Sequence, residues 1–299
     1  MTVKPDPERF RLPDEKHQAI FERRIVPALF ADAKPSREPL AVLFGGQPGA
    51  GKSAVIAAAA DELQRRGGAV VINGDEFRAH HPRFAQLLRS DDRTAAFYTD
   101  RDSGRWVEKS IDHARQRGYN VIVEGTMRNP DTVAQTLSDF RAAGYETDAR
   151  ALAVNSRLSE LGILLRYESQ RAVRGHGRAT TEAAHAAGYE GVPRTLARIE
   201  DGRLADRVQV VRRSGEVVYQ NELRGGDWQK PPRAAETLQG VRDGSLSKDE
   251  LQQLVAGYAR VSNLMRDRKA PDLERAPVEQ RLQQAIAEQR QQRDRGFSR

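Results

Sequence analysis

The 299-residue chain contains no cysteine. Disulfide frameworks and thiolate metal sites are therefore excluded, and a reducing compartment fits the composition. No apolar run reaches the roughly 18 residues that a membrane-spanning helix needs, and the first residues, Met1 to Pro7, lack the apolar core of a signal peptide. We therefore expect a soluble, cytoplasmic protein that does not contact a membrane.

Aromatic residues are also scarce, at 6% of the chain. They show no pattern of the kind that stacks bases in proteins that bind single strands. The net charge of +7 would attract nucleic acid, but it would attract a polyanionic small substrate such as a nucleotide equally well. An ATP-binding nucleic-acid or regulatory protein therefore stays as an alternative, although we do not expect nucleic acid to be the partner.

Short apolar runs alternate with helical patterns from residue 40 onwards. The predicted strands are 40–44, 69–72, 120–123 and 149–154, followed by a hairpin of 208–211 and 217–219. The predicted helices are 15–31, 54–66, 105–117, 131–143, 156–173, 236–246 and 248–266, and 276–299 is a polar helix or a disordered tail. Strands separated by helices predict a doubly wound, mostly parallel α/β sheet with helices on both faces.

We divide the chain into three parts. Residues 1–38 form a helical N-terminal arm, 39–230 a P-loop kinase-like domain, and 231–299 a helical C-terminal extension that begins near Pro231-Pro232.

A phosphate-binding motif follows the first predicted strand. The segment Gly46-Gln47-Pro48-Gly49-Ala50-Gly51-Lys52-Ser53 fits G-x-x-x-x-G-K-[ST] and lies between a buried strand and a helix. Its glycines let successive backbone N–H groups point at one anion, and the helix adds its positive end. We expect Lys52 to reach the β- and γ-phosphates of ATP, and the Ser53 hydroxyl to bind Mg²⁺.

Carboxylates follow the next two predicted strands. Asp75 comes after the second strand, and Glu124 with Thr126 after the third. Ligands of open α/β sheets bind beyond the carboxyl ends of the strands, so these side chains should line a polar substrate pocket, which Glu108 could join. Asp75 could accept a proton from a substrate hydroxyl, hold a water on Mg²⁺, or only cap the following turn.

An arginine-rich segment has the composition of a lid over transferring phosphate. It carries Arg166, Arg171, Arg174 and Arg178, interrupted by Gly175-His176-Gly177. Arginines on a mobile segment supply the positive charge that phosphoryl transfer requires. We interpret His176 as a lid residue, because the histidines of this chain show no metal-ligand spacing.

The ordered motifs resemble those of the zeta toxin family, bacterial toxin–antitoxin kinases that phosphorylate UDP-N-acetylglucosamine. The resemblance covers about residues 15 to 225. It runs through Gly45 to Ser53, Gly74-Asp75-Glu76-Phe77-Arg78, His81-Pro82, Tyr98-Thr99, Val107-Glu108, Gly118-Tyr119-Asn120, Val123 to Arg128, Gly144-Tyr145-Glu146, Arg166-Tyr167-Glu168 and Arg178-Ala179-Thr180.

The resemblance implies roles for several of the matched residues. Lys52 and Ser53 would hold ATP and Mg²⁺, and Asp75 would be the base for the sugar 3′-hydroxyl. Arg166 and Arg178 would stabilise the transferring phosphoryl group, and Glu108, Glu124, Thr126 and Arg128 would bind the UDP-sugar. It also implies that the product blocks cell-wall precursor synthesis and that a cognate antitoxin inhibits the protein. The same chemistry on another nucleotide-sugar, a nucleoside or an antibiotic stays open, because the pocket lining selects the acceptor.

Overall fold

A computed structural model describes residues 6–297; the outermost parts of the predicted arm and extension, 1–5 and 298–299, lie outside them. The strands are β1 Leu40–Gly45, β2 Val70–Asn73, β3 Val121–Glu124, β4 Glu146–Ala153, β5 Arg207–Arg212, β6 Val217–Arg224 and β7 Asp227–Trp228. They form one seven-stranded sheet in the order β2-β3-β1-β4-β5-β6-β7. β1 to β5 are parallel, and β6 and β7 are antiparallel.

Helices cover both faces of this sheet. They are α1 Asp14–Ile20, α2 Val26–Leu29, α3 Lys52–Gln64, α4 Gly74–Phe77, α5 Phe84–Ser90, α6 Ala95–Arg117, α7 Pro130–Ala142, α8 Ser156–Arg174, α9 Glu182–Gly202, α10 Ala234–Asp243, α11 Lys248–Asp267 and α12 Asp272–Phe297. A π-helical turn at Phe21–Ile25 joins α1 to α2. The predicted fold class, a doubly wound and mostly parallel α/β sheet with helices at both chain ends, is confirmed.

Successive side chains of β1 point to opposite faces of the sheet, and the core is accordingly divided into two clusters. Ala41 and Leu43 face a first cluster with the N-terminal helices, α6, α7, α9 and α10. Leu40, Val42 and Phe44 face a second cluster with α3, α8, α11 and α12. Helices from the predicted arm and extension thus add side chains to the same clusters as the sheet, while the boundaries at 38 and 230 stay a prediction.

Several helices and strands extend beyond their predicted bounds, because polar residues at their ends interrupt the apolar periodicity from which the bounds were predicted. β4 begins at Glu146, and its Asp148 is fully buried between Arg150 and Arg207, with each Nε lying 2.9 Å from Asp148 Oδ2. The helix predicted for 105–117 begins at Ala95. The short α5 and β7 were not predicted. No helix in residues 6–297 is both long enough and apolar enough to cross a membrane.

The shared core predicts that the C-terminal helices unfold together with the sheet. Leu254 of α11 is fully buried in the second cluster, so Leu254→Ala should lower the free energy of unfolding by about 2–5 kcal/mol. Denaturant unfolding followed by circular dichroism should show one cooperative transition in both proteins. Gln253→Ala, at the exposed neighbouring position, is the control. A separate early transition of the extension in the Leu254 variant would contradict the prediction.

Candidate functional site

The phosphate-binding loop runs from β1 to α3 with two glycines in the left-handed region. Gly49 has a φ of 79° and Gly51 a φ of 86°, which side chains other than glycine rarely adopt. A Cβ atom at Gly49 would lie 2.0 Å from the Ser159 carbonyl oxygen of α8. The loop therefore has both the curvature and the close helix contact that its glycines predict.

Lys52 begins α3 and folds back over the loop. Its Nζ donates to the Gly46 carbonyl at 2.9 Å and lies 3.5 Å from the Gln47 carbonyl and 3.9 Å from Glu124 Oε1. Burial lowers the pKa of Lys52, although Glu124 and Asp75 oppose this shift. Burial also raises the pKa of Glu124, against the effect of Lys52. The ammonium group thus lies among oxygens at the carboxyl ends of β1 and β3.

Asp75 lies on the turn that follows β2. The Asn73 side chain accepts the Asp75 backbone N–H at 2.9 Å, which fixes this turn. The Asp75 carboxylate is 2.9 Å from Arg178 Nη1 and 3.3 Å from Arg78 Nε. Burial raises the pKa of Asp75, but Arg178, Arg78 and Arg166 together outweigh it and hold the pKa below its usual value. The carboxylate is therefore ionised at neutral pH.

Arg78, to which the sequence analysis gave no role, orients this carboxylate. Its guanidinium also donates to the Ala96 carbonyl and to Asp100 Oδ1, both at 2.6 Å, so α6 fixes its position. The available sequence signal was its i+3 spacing from Asp75, which places both side chains on one face of a helical turn.

The arginine-bearing segment 175–181 joins α8 to α9 and brings Arg178 into contact with Asp75. Arg166 of α8 donates to Thr180 Oγ1 at 2.6 Å, and its Nε has no partner in the described structure. Burial, reinforced by Arg178, lowers the pKa of Arg166 to about 10. Asp92 Oδ2 accepts the Gly177 N–H at 2.9 Å, which ties the segment to the loop after α5. Two predicted phosphate-binding arginines therefore meet beside Asp75.

The remaining predicted residues lie further out. Arg128 is exposed, with Nη2 3.9 Å from Asp100 Oδ2. Glu108 is exposed on α6, and Thr126 is half-buried just after β3. The side chains of Glu108 and Thr126 make no hydrogen bond or ion pair within residues 6–297. The structure thus groups Lys52, Asp75, Glu124, Arg166 and Arg178, and leaves Glu108, Thr126 and Arg128 outside this group.

A magnesium ion would depend on few protein ligands here. Ser53 is exposed at the first turn of α3, where its hydroxyl is free to act as a ligand. Within residues 6–297, no three histidine, aspartate or glutamate side chains cluster as a metal site. This arrangement fits Mg²⁺, which keeps several waters and is commonly held by few protein groups together with substrate phosphates.

The Arg178 contact predicts a measurable change in the ionisation of Asp75. Arg178→Ala removes the nearer of the two arginines in contact with Asp75 and leaves the effect of burial, so the pKa of Asp75 should rise. Carboxyl carbon NMR of the labelled protein measures this pKa directly. Arg174→Ala, which removes an exposed arginine at the C-terminal end of α8, should leave the pKa of Asp75 unchanged. An equal shift in both variants would contradict the prediction.

The same ion pair affects stability in a defined pH range. Because the folded-state pKa of Asp75 is lowered, the pair stabilises the fold above the ordinary carboxyl pKa of 3.8. The stabilisation is lost as the pH falls through the lower, folded-state value. The stability difference between wild type and Arg178→Ala should therefore shrink in acid.

Comparisons with known proteins agree with this architecture. The Zeta toxin family model matches residues 28–224. The chain is 30% identical over 233 residues to Toxin PezT of Streptococcus pneumoniae, covering 78% of this chain and 89% of that protein. It is 33% identical over 205 residues to Toxin zeta of Enterococcus hirae, covering 67% and 71%.

Solved structures also match the fold of this chain. A structure from the PezAT chromosomal toxin–antitoxin system of Streptococcus pneumoniae superimposes with a TM-score of 0.73 and 27% identity. The match covers 86% of this chain and 99% of that one. A complex of AvrRxo1-ORF1 with AvrRxo1-ORF2 shares the fold alone, with a TM-score of 0.50 and 15% identity. On the family match and the two toxin relatives, this chain belongs to the Zeta toxin family.

Proposed function

We propose that this protein is an ATP-dependent kinase that phosphorylates the sugar 3′-hydroxyl of UDP-N-acetylglucosamine. The observation that carries the kinase chemistry is the meeting of Asp75 with Lys52, Arg166 and Arg178 at one edge of the sheet. Phosphoryl transfer depends on positioning and on positive charge around the moving group, and this arrangement supplies both. The identity of the acceptor rests on membership of the family.

The phosphate loop would take the triphosphate. Its N–H groups and the first turn of α3 would bind phosphate oxygens, and Lys52 would exchange its contacts with loop carbonyls for the β- and γ-phosphates. Ser53 would ligate Mg²⁺, which, when bound, neutralises charge between the β- and γ-phosphate oxygens.

Asp75 would orient the acceptor hydroxyl and take its proton. The acceptor oxygen forms a bond to the γ-phosphorus, the bond from that phosphorus to the bridging oxygen breaks, and ADP leaves. In the structure Arg178 pairs with Asp75 at 2.9 Å. A γ-phosphate beside the pair would compete for Arg178, and loss of this contact would make the Asp75 carboxylate a stronger base.

The acceptor would lie on the far side of Asp75 from the loop. Glu124, which lies next to Lys52, would border this region, and Glu108, Thr126 and Arg128 would line it. We propose these residues for binding the UDP-sugar.

The biological setting is part of the proposal. We infer that the product poisons cell-wall precursor synthesis in the cytoplasm and that an antitoxin protein restrains the enzyme. The solved relative from a toxin–antitoxin system supports such a partner.

A different small hydroxyl acceptor is the second candidate. It is favoured by the exposure of Glu108 and Arg128, because exposed side chains restrict the shape of an acceptor less than buried ones do. Another nucleotide-sugar, a nucleoside or an antibiotic would use the same Asp75 chemistry.

The decisive experiment measures ATP turnover with UDP-N-acetylglucosamine and other acceptors, with ³¹P NMR and mass spectrometry locating the new phosphate. Asp75→Asn should lower kcat by about 10²- to 10⁴-fold, because it removes the proton acceptor. ATP binding should persist in this variant. Glu76→Gln, at the exposed neighbouring position, is the control.

The possible outcomes separate the two candidates. Phosphate on the 3′-oxygen of the sugar supports the first. Turnover only with another acceptor supports the second, and a folded, ATP-binding protein without turnover across the panel would refute both.

A further inference from the structure

A buried arginine of the C-terminal extension contacts the phosphate loop. Arg242, near the end of α10, is 2% exposed. Its Nη2 donates to Gln47 Oε1 at 2.7 Å, and its Nη1 donates to the Tyr189 carbonyl at 2.6 Å. The guanidinium carbon also lies 4.3 Å from the centre of the Tyr189 ring. One side chain thus joins α10, α9 and the loop.

No carboxylate neutralises this guanidinium at ion-pair distance within residues 6–297. Its Nε is also buried and has no hydrogen-bond partner in the described part of the chain. Burial lowers the pKa of Arg242 to about 10, so the group keeps its charge at neutral pH. An unpaired buried charge is costly for folding, and here the positive charge lies directly behind the loop that is to hold phosphate.

Gln47 transmits the contact to the site. Its Nε2 donates to the Val154 carbonyl at 2.8 Å and to Ser159 Oγ at 3.2 Å, while its Oε1 accepts from Arg242. The amide is therefore held at both ends. The Gln47 backbone carbonyl in turn lies 3.5 Å from Lys52 Nζ. A continuous set of contacts leads from α10 to the lysine expected to bind phosphate.

The surrounding helices hold Arg242 next to the phosphate loop. Asn155, which caps α8, donates to the Arg242 carbonyl at 2.9 Å. α9 passes close to the loop at Gly188, where an added Cβ would lie 3.2 Å from Gln47 Cα. The back of the loop is thus enclosed by α8, α9 and α10.

We propose that Arg242 is a positioning residue for the phosphate loop: it fixes Gln47 and adds buried positive charge that favours triphosphate binding. The proposal rests on the proposed use of ATP. It assigns a role in nucleotide binding to a helix outside residues 28–224, which the family model matches.

The test measures the Kd for ATP by calorimetry, without acceptor, in full-length variants. Arg242→Met replaces the charge by an apolar chain, a change that often preserves stability. We expect about tenfold weaker ATP binding from the lost charged hydrogen bonds. The kcat at saturating ATP and the KM for the acceptor should stay within about twofold. Arg242→Lys retains the positive charge but loses the two parallel donors of the guanidinium. Its ATP affinity should therefore lie between those of wild type and Arg242→Met.

A double variant tests the route through Gln47. If Arg242 acts through this amide, Gln47→Met combined with Arg242→Met should bind ATP no more weakly than the weaker single variant. Additive losses would overturn the positioning role. If Arg242→Met folds poorly, Arg242→Lys keeps the proposal testable, because an ATP affinity equal to that of wild type in this variant would overturn it.

Arg194→Met is the matched control. Arg194 is exposed and, like Arg242, lines a cleft of about 490 Å³ between α9 and α10. This variant should therefore bind ATP like wild type. Unchanged ATP affinity in folded Arg242→Met would overturn the proposal, as would parallel losses of ATP affinity, acceptor affinity and melting temperature. Because the calorimetric measurement needs no acceptor, failure of sugar phosphorylation would refute the proposed acceptor and still leave the comparison of ATP affinities intact.

Discussion

The structure depends on the balance of charge at the carboxyl ends of β1, β2 and β3. Lys52, Arg78, Arg166 and Arg178 meet there, opposed by Asp75, Glu124 and, on α6, Asp100. The balance is incomplete: Arg166 has a lowered pKa, and its buried Nε has no hydrogen-bond partner among the described residues. Burying cations with too few anions destabilises the folded protein, and a bound polyanion would relieve this cost. The same excess of positive charge therefore favours binding of a polyanion and lowers the stability of the folded protein.

Much of the remaining architecture holds these cations in place. α6 fixes Arg78 through Ala96 and Asp100, and α8 carries Arg166 and approaches the phosphate loop closely at Gly49. The C-terminal helices in turn support α8: a Cβ at Gly257 of α11 would lie 2.4 Å from Leu161 Cδ2. Such close packing transmits displacement, because interiors of this density deform little. The extension therefore belongs to the physical support of the site.

The sequence predicted those parts of the fold and the site that local patterns encode. Apolar runs located the central strands, and the glycine–lysine motif located the phosphate loop between β1 and α3. The rule that ligands bind at the carboxyl ends of parallel strands placed Asp75 and Glu124 near one another. Contacts between distant segments were not accessible in this way. Arg242 meets Gln47 across 195 residues, and Asp148 is buried inside β4 only because Arg150 and Arg207 pair with it. In both cases a residue typical of surfaces is buried by partners that no periodicity reveals.

The pairing of Asp75 with Arg178 links the lid to the proposed base. The contact lowers the basicity of Asp75 while it holds the arginine-bearing segment over the site. A carboxylate in this state orients a hydroxyl well but accepts a proton weakly. In a loose phosphoryl-transfer transition state the acceptor loses its proton late, so orientation contributes more than basicity at first. Transfer of Arg178 to the γ-phosphate would then strengthen the base as charge moves to the phosphate. One ion pair can thus couple lid position, charge stabilisation and proton transfer in a single step.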